Sequence, residues 1–333
     1  MSILTAGLVS VVAGGLTWWL LPWVIAQCQR WGLVSYPTAR CAHTTPTPRA
    51  GGLAFVLGTL PVLALVVGLG GAVLPHHPFM VALVTCSVGV ALLGWLDDKR
   101  LLTQPWARFA LQLVLTAIPL YWLPPVFDNL PMTVPWWADR LFLWLGWTWF
   151  INLFNFMDAG DGLAAQQAAF MGVMISLLWP DHALLALPVA AGALAFLRVN
   201  APPAKIFMGD IGACWWGYVL AGLMISLCAI DVSFGSPSLL ISLVFAADAT
   251  ITLGRRLWAK QKVWEPHRAQ WVHRAFDAGL SHRQIFWAVV RLNAALGAIA
   301  WLGTGWQVGW WMLLPGVLVM LWAAWRVRAL ELR

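Results

Sequence analysis

Five carboxylates in this 333-residue chain fall where an apolar run gives way to a polar break: Asp97, Asp98, Asp158, Asp161 and Asp210. They lie in three separate segments, and Arg49, His43, Lys205, His267, Arg268, His273 and Arg274 fall in comparable breaks. Carboxylates set among many cations suit a divalent metal together with a phosphate-rich substrate. Mg²⁺ takes one or two carboxylates plus substrate phosphates and keeps some of its waters. Arginine, lysine and histidine neutralise the phosphate charge that remains.

Each segment also has an ordinary structural reading. Asp97 and Asp98 close an apolar run, repel one another and oppose the helix dipole at a C-terminus; a solvated end balanced by Lys99 and Arg100 is the alternative. Asn152, Asn155 and Asp158 recur every three residues and share one helix face. Gly160 and Gly162 then let the backbone turn about Asp161. Polar glue between helices is the competing account. Asp210 precedes another apolar run and also reads as a helix N-cap. Phe207 is placed either to stack on a base or simply to pack. The basic segment around Glu265-Pro266-His267-Arg268 and His273-Arg274 is either a solvated loop or a diphosphate grip. Asp248 lies about four residues short of the charged end of its run, a depth at which an acid needs a partner or a role.

The elements that must position these residues are membrane helices. Hydrophobic residues make up 61% and charged residues 10%, with a mean hydropathy of +0.77, too little charge to cover a soluble surface. Runs of about 20 apolar residues cross a bilayer. Eleven candidates occur, over 3–27, 51–74, 79–96, 106–123, 137–156, 162–179, 183–199, 211–230, 237–254, 285–302 and 308–325. The expected fold is an all-α polytopic bundle of about 11 spans, read as a single domain over 1–333. No internal repeat or appended soluble domain is visible. The first run lacks a charged leader and a clear cleavage site, so it reads as a span.

With the N-terminus outside and the C-terminus inside, 19 of the 20 basic residues fall on the cytoplasmic side, and only Arg140 falls outside. The outer loops carry Asp128, Asp139, Asp181 and Asp231. The net charge of +7 then reflects sidedness and anionic lipid or phosphate partners, with no call for nucleic acid. The 25 tryptophans suit interfacial belts. Cys28, Cys41, Cys86, Cys214 and Cys228 show no metal or disulfide spacing and read as free thiols.

Taken in order, Pro46-Thr47-Pro48-Arg49-Ala50-Gly51-Gly52, Asp97-Asp98, Asn152 through Ala164, Phe207-Met208-Gly209-Asp210-Ile211-Gly212 and Pro266-His267-Arg268 resemble the polyprenyl-phosphate N-acetylhexosamine-1-phosphate transferases. This is glycosyltransferase family 4, with its MraY and WecA groups, and the likeness spans nearly the whole chain. The Pro-Thr-Pro-Arg and Glu-Pro-His-Arg forms look closest to WbpL-like enzymes that start O-antigen or other surface glycans. The resemblance implies a ten- or eleven-helix fold with a cytoplasmic cleft in the bacterial inner membrane. It implies Mg²⁺, with Mn²⁺ as a substitute, a UDP-N-acetylhexosamine donor and undecaprenyl phosphate as acceptor, and it leaves room for a homodimer. By that likeness Asp210 is a metal ligand, with Asp97 and Asp98 handling the metal or the lipid phosphate. Asp158, Asp161 and His267 join Asp97 and Asp98 as catalytic candidates. Arg49, Asn152, Asn155, Asn200, Lys205, Phe207, Arg268 and His273 are substrate-binding candidates, with Asn200 and Phe207 expected near the uracil.

Four positions depart from the family pattern. Ala159 and Gly160 exchange the usual order between the two aspartates, a penalty if the first position needs positive φ. Ala213 replaces a serine, Gln270 a histidine, and Val272-His273 a Tyr-Gln pair. Secondary transporters, which gather ionisable groups near the midplane of repeated halves, fit less well than a transferase. A scaffold or catalytically degenerate homologue is the remaining alternative.

Overall fold

The computed structural model describes residues 3–37, 45–71, 74–102, 104–127, 134–262 and 267–331. Cys41, His43, Asp128, Glu265 and Pro266 lie outside the described residues. In lipid a backbone must satisfy its own polar groups, so apolar runs form helices. These are α1 (Ile3–Arg30), α2 (Gly52–Gly70), α3 (His77–Asp98), α4 (Pro105–Leu120), α5 (Trp136–Phe156) and α6 (Leu163–Leu178). They continue as α7 (Ala183–Asn200), α8 (Gly209–Ile230), α9 (Gly235–Trp258), α10 (Trp271–Asp277), α11 (His282–Gly305) and α12 (Leu313–Glu331).

All the helices but α10 correspond to the eleven apolar runs. Among the described residues eight spans are long and apolar enough to cross a membrane by themselves, while α4 and α6 are shorter apolar helices of 16 residues each. In α5 the tryptophans, the asparagines and Asp139-Arg140 dilute the hydropathy. The fold is an all-α polytopic membrane bundle. Two features differ from the sequence expectation. The basic segment contains the seven-residue α10, and a two-stranded antiparallel clip forms between Val34–Ser35 and Thr47–Pro48.

At the centre stands α8, whose Trp215, Trp216 and Tyr218 are fully buried. Trp216 stacks on Phe55 of α2 at 3.8 Å, and Tyr218 stacks on Trp147 of α5 at 4.9 Å. The Trp147 indole donates to the Tyr218 carbonyl at 2.9 Å, so this polar edge is satisfied without water. Small residues of α8 let its neighbours approach. Gly52 of α2 sits against Gly212, and Gly94 of α3 against Ile211. A side chain at either would force α8 away and open the site described next. By contrast α1 and α12 expose long apolar faces, and Trp136, Trp137, Trp306 and Trp311 are exposed near helix ends.

Candidate active site

The C-terminal ends of α3 and α5 meet the N-terminal end of α8; α3 ends on Asp97-Asp98, the turn after α5 carries Asp158 and Asp161, and α8 begins with Asp210 in its first turn. Asp98, Asp158, Asp161 and Asp210 line one pocket of about 320 Å³, together with Ser35, Arg49, Asn155, Phe207, His273 and His282. Residues separated by more than 240 positions thus converge on one end of the bundle.

Asp98 resolves the problem posed by acids at a helix C-terminus. Its oxygens accept the backbone N–H groups of Asp210 at 3.2 Å and Ile211 at 3.1 Å. These are unpaired donors at the start of α8, where negative charge is favoured. Gly209 makes this possible. Its φ is +73°, and a Cβ there would lie 2.5 Å from Asp98 Oδ2. The cap of α8 therefore comes from another helix and not from Asp210, whose carboxylate faces the pocket and accepts the Asn155 amide. Asp97 does not line the pocket; it lies beside the Asp210 carboxylate and pairs with Arg108.

Arg49 enters from the clip, donating its guanidinium to the Asp98 carbonyl. Backbone bonds from Phe207 to Pro48, Gly51 to Phe207 and Gly52 to Met208, each 2.8 Å, lock residues 48–52 onto the approach to α8. Asp161 anchors a different wall. Its Oδ2 accepts the Ala204 N–H at 3.0 Å, and His282 Nδ1 lies 3.2 Å from both its Oδ1 and its backbone nitrogen. A neutral His282 bearing its proton on Nε2 accepts from that nitrogen, whereas the imidazolium donates to Oδ1. A second cavity of about 390 Å³ shares Asp161, Phe207 and His282 and continues to Thr47, Pro203, Ser281 and Arg283.

Electrostatics divide the pocket. Asp158 is pushed up to about 7, first by removal from water and then by Asp210, Asp98 and Asp161. His273 is held down at about 4 by burial and by Arg268 and His267, so it is neutral near pH 7. Its Nδ1 is buried without a hydrogen-bond partner, an arrangement that costs free energy until a ligand fills it. His267 is also lowered, by burial and by Arg256.

Several candidates stand outside this pocket. Asn152 donates to Gln112 Oε1 and the Thr148 carbonyl, both at 2.8 Å, tying α5 to α4. Asn200 is buried and donates to the Ile206 carbonyl at 2.9 Å, bracing the turn before Phe207. Lys205 is exposed. Arg268 pairs with Asp277 at 2.6 Å, and the ring of His267 accepts from Ala269 N–H at 3.3 Å. The expected strain at Ala159 does not arise. Ala159 is absent from the positive-φ residues, and the left-handed position is Gly162 at φ +73°. Gly160 is needed for space, since a Cβ there would lie 3.0 Å from Phe276. His282 was not singled out in the sequence. The Ser281-to-Gln284 capping box marks the start of α11 and could have placed it.

Among the described residues no three His, Cys, Asp or Glu side chains form a ready-made metal cage. The oxygen-only carboxylate set nevertheless fits Mg²⁺, which relies on substrate phosphates and water for much of its shell. The mutual repulsion felt at Asp158 is what a cation would relieve. Asp210, with Asp98 or Asp158, is the set placed to hold it.

The sequence matches the model of glycosyl transferase family 4 over residues 80–228, a stretch containing all five carboxylates. It is 31% identical to a probable undecaprenyl-phosphate N-acetylglucosaminyl 1-phosphate transferase of Bacillus subtilis, over 76% of this chain and 72% of that protein. A decaprenyl-phosphate N-acetylglucosaminephosphotransferase of Mycolicibacterium smegmatis is 29% identical, over 88% of this chain and 80% of its own. A phospho-N-acetylmuramoyl-pentapeptide-transferase of Deinococcus radiodurans is 31% identical, over 64% and 73%.

Proposed function

Since the chain belongs to the polyprenyl-phosphate N-acetylhexosamine-1-phosphate transferases of glycosyl transferase family 4, we propose that it moves an N-acetylhexosamine 1-phosphate from a UDP-sugar to undecaprenyl phosphate. The products are UMP and undecaprenyl-diphosphate N-acetylhexosamine. The carrying observation is the convergence of Asp98, Asp158, Asp161 and Asp210 with Arg49 and the unpartnered His273 Nδ1 in one pocket.

An oxygen of the lipid phosphate attacks the donor's β-phosphorus, a new P–O bond forms, and the bond to the bridging oxygen breaks to release UMP. A phosphate monoester's second pKa lies near 6, so the acceptor is largely dianionic and needs little general-base help. The protein's work is positioning and charge neutralisation. Arg49 meets phosphate charge, His273 offers Nδ1 to a phosphate oxygen, Asn155 fixes Asp210, and Phe207 presents an aromatic surface to the uracil. Bound Mg²⁺, held by Asp210 with Asp98 or Asp158, would supply the positive charge that lets two anions meet. An apolar cavity of about 520 Å³ between α5, α8 and α9 reaches Leu153, two residues from Asn155, and suits the prenyl tail.

The bias of basic residues toward one set of loops supports a site on the cytoplasmic face of the bacterial inner membrane. The Pro-Thr-Pro-Arg and His267-Arg268 forms, without consecutive histidines, support a role in starting O-antigen or a related surface glycan. The test is UMP release by purified protein given undecaprenyl phosphate, Mg²⁺ and a panel of UDP-sugars, including the N-acetylmuramoyl-pentapeptide donor. Release that requires lipid, donor and metal, and falls about 100- to 1,000-fold in Asp210→Asn, is expected. Folded protein that releases no UMP with any donor would sink the reading, and EDTA-insensitive release would remove the metal from it.

A further inference from the structure

Asp248 is a carboxylate buried within α9, on a helix that spans the membrane. Such a group is costly unless its oxygens are satisfied. Its oxygens accept the backbone N–H of Trp271 at 2.8 Å and of Val272 at 3.3 Å, and the Thr252 hydroxyl donates to Oδ1 at 3.2 Å. The two backbone donors open α10, whose first-turn N–H groups have no partner inside the helix.

A seven-residue helix is too short to persist by itself, so its external ties decide where it sits. Gln270 donates to the Phe156 carbonyl at 3.1 Å, at the end of α5. The Phe276 ring packs on His282 at 4.5 Å. Arg274 pairs with Glu331 of α12, but that pair is partly exposed and weak. Asp248 is the buried charged tie, and Val272, whose N–H it accepts, is the chain neighbour of His273, whose imidazole lines the carboxylate pocket.

We propose that Asp248 is a positioning residue for transfer: through the first turn of α10 it holds His273 against the pocket. This rests on the transferase reading, and one arm of the test does not. Removing one oxygen acceptor frees an N–H of α10, and a displacement of about 1 Å near a reacting centre costs up to about 100-fold. Asp248→Asn is therefore expected to lower kcat/KM for the UDP-sugar by about 10- to 100-fold. In a His273→Ala background the same change should cost less than about twofold, because the two act as one unit. A purely structural role would instead reduce both backgrounds by the same factor. Wild-type kinetics in Asp248→Asn, wild-type kinetics in His273→Ala, or losses that multiply in the double variant would each overturn the proposal.

If Asp248→Asn does not accumulate folded, Asp248→Glu keeps the charge, shifts it by one methylene and enters the same cycle. Maleimide labelling of His273→Cys, without substrate, reads position alone. Faster labelling after the Asp248 change supports the tie, and equal rates overturn it even if no donor is ever turned over.

Discussion

Asp97 and Asp98 are adjacent in the chain, yet their surroundings assign them different physical work. Asp98 is 2% exposed and satisfies two N–H groups of α8, whereas Asp97 shares a partly exposed ion pair with Arg108. Asp98→Asn puts an amide NH₂ against one of those donors and is expected to cost about 1–3 kcal/mol. Asp97→Asn should cost less than about 1 kcal/mol. Chemical denaturation in detergent would separate them, and equal losses would contradict the capping role. His273 gives a pH signature. Its pKa is about 4 in the folded protein against an ordinary 6.5. Between those values the unfolded chain binds the proton and the folded chain does not, so the His273 contribution to stability rises with pH through that window, whereas the Asp158 contribution falls. Measured without substrate, the melting temperature of wild type should gain on that of His273→Gln as pH rises through this window, and a pH-independent difference would contradict the assignment.

At the scale of elements, α5 carries two kinds of asparagine on one face. Asn155 meets Asp210 in the pocket, while one turn earlier Asn152 bonds Gln112 of α4. Interhelical polar pairs in membranes contribute roughly 0.6–2 kcal/mol. Asn152→Ala is thus expected to lower stability by that amount and to leave KM for the donor within about threefold. A large rise in KM with unchanged stability would instead place Asn152 at the substrate. The i, i+3 spacing made both residues visible in sequence, but it could not tell which neighbour each would meet. That depends on how far along α5 the end of α8 docks, and Gly217 against Ile151 and Phe154 sets this packing.

For the whole molecule, opposite ends of the bundle carry different charge. Lys260, past the end of α9, and Gln307, between α11 and α12, are both exposed and lie at opposite ends of neighbouring spans. In sealed inverted inner-membrane vesicles, Lys260→Cys should react with an impermeant maleimide. Gln307→Cys should react only after permeabilisation, as the distribution of basic residues requires. The reverse pattern would place the carboxylate pocket on the outer face, out of reach of a cytoplasmic nucleotide donor.

Composition and the eleven apolar runs determined an all-α membrane bundle, because in lipid only helices and closed barrels pair every backbone polar group, and continuous runs of about 20 apolar residues suit helices. Sequence also marked the carboxylates of the pocket, because acids bordering spans need a reason to be there. Tertiary structure alone decided the rest. It gave the cap of α8 to Asp98, turned Asp97 to Arg108, brought His282 beside Asp161 and gave Asp248 its partners on α10. Each of these depends on the docking of helices far apart in sequence, and local spacing carries no record of that contact.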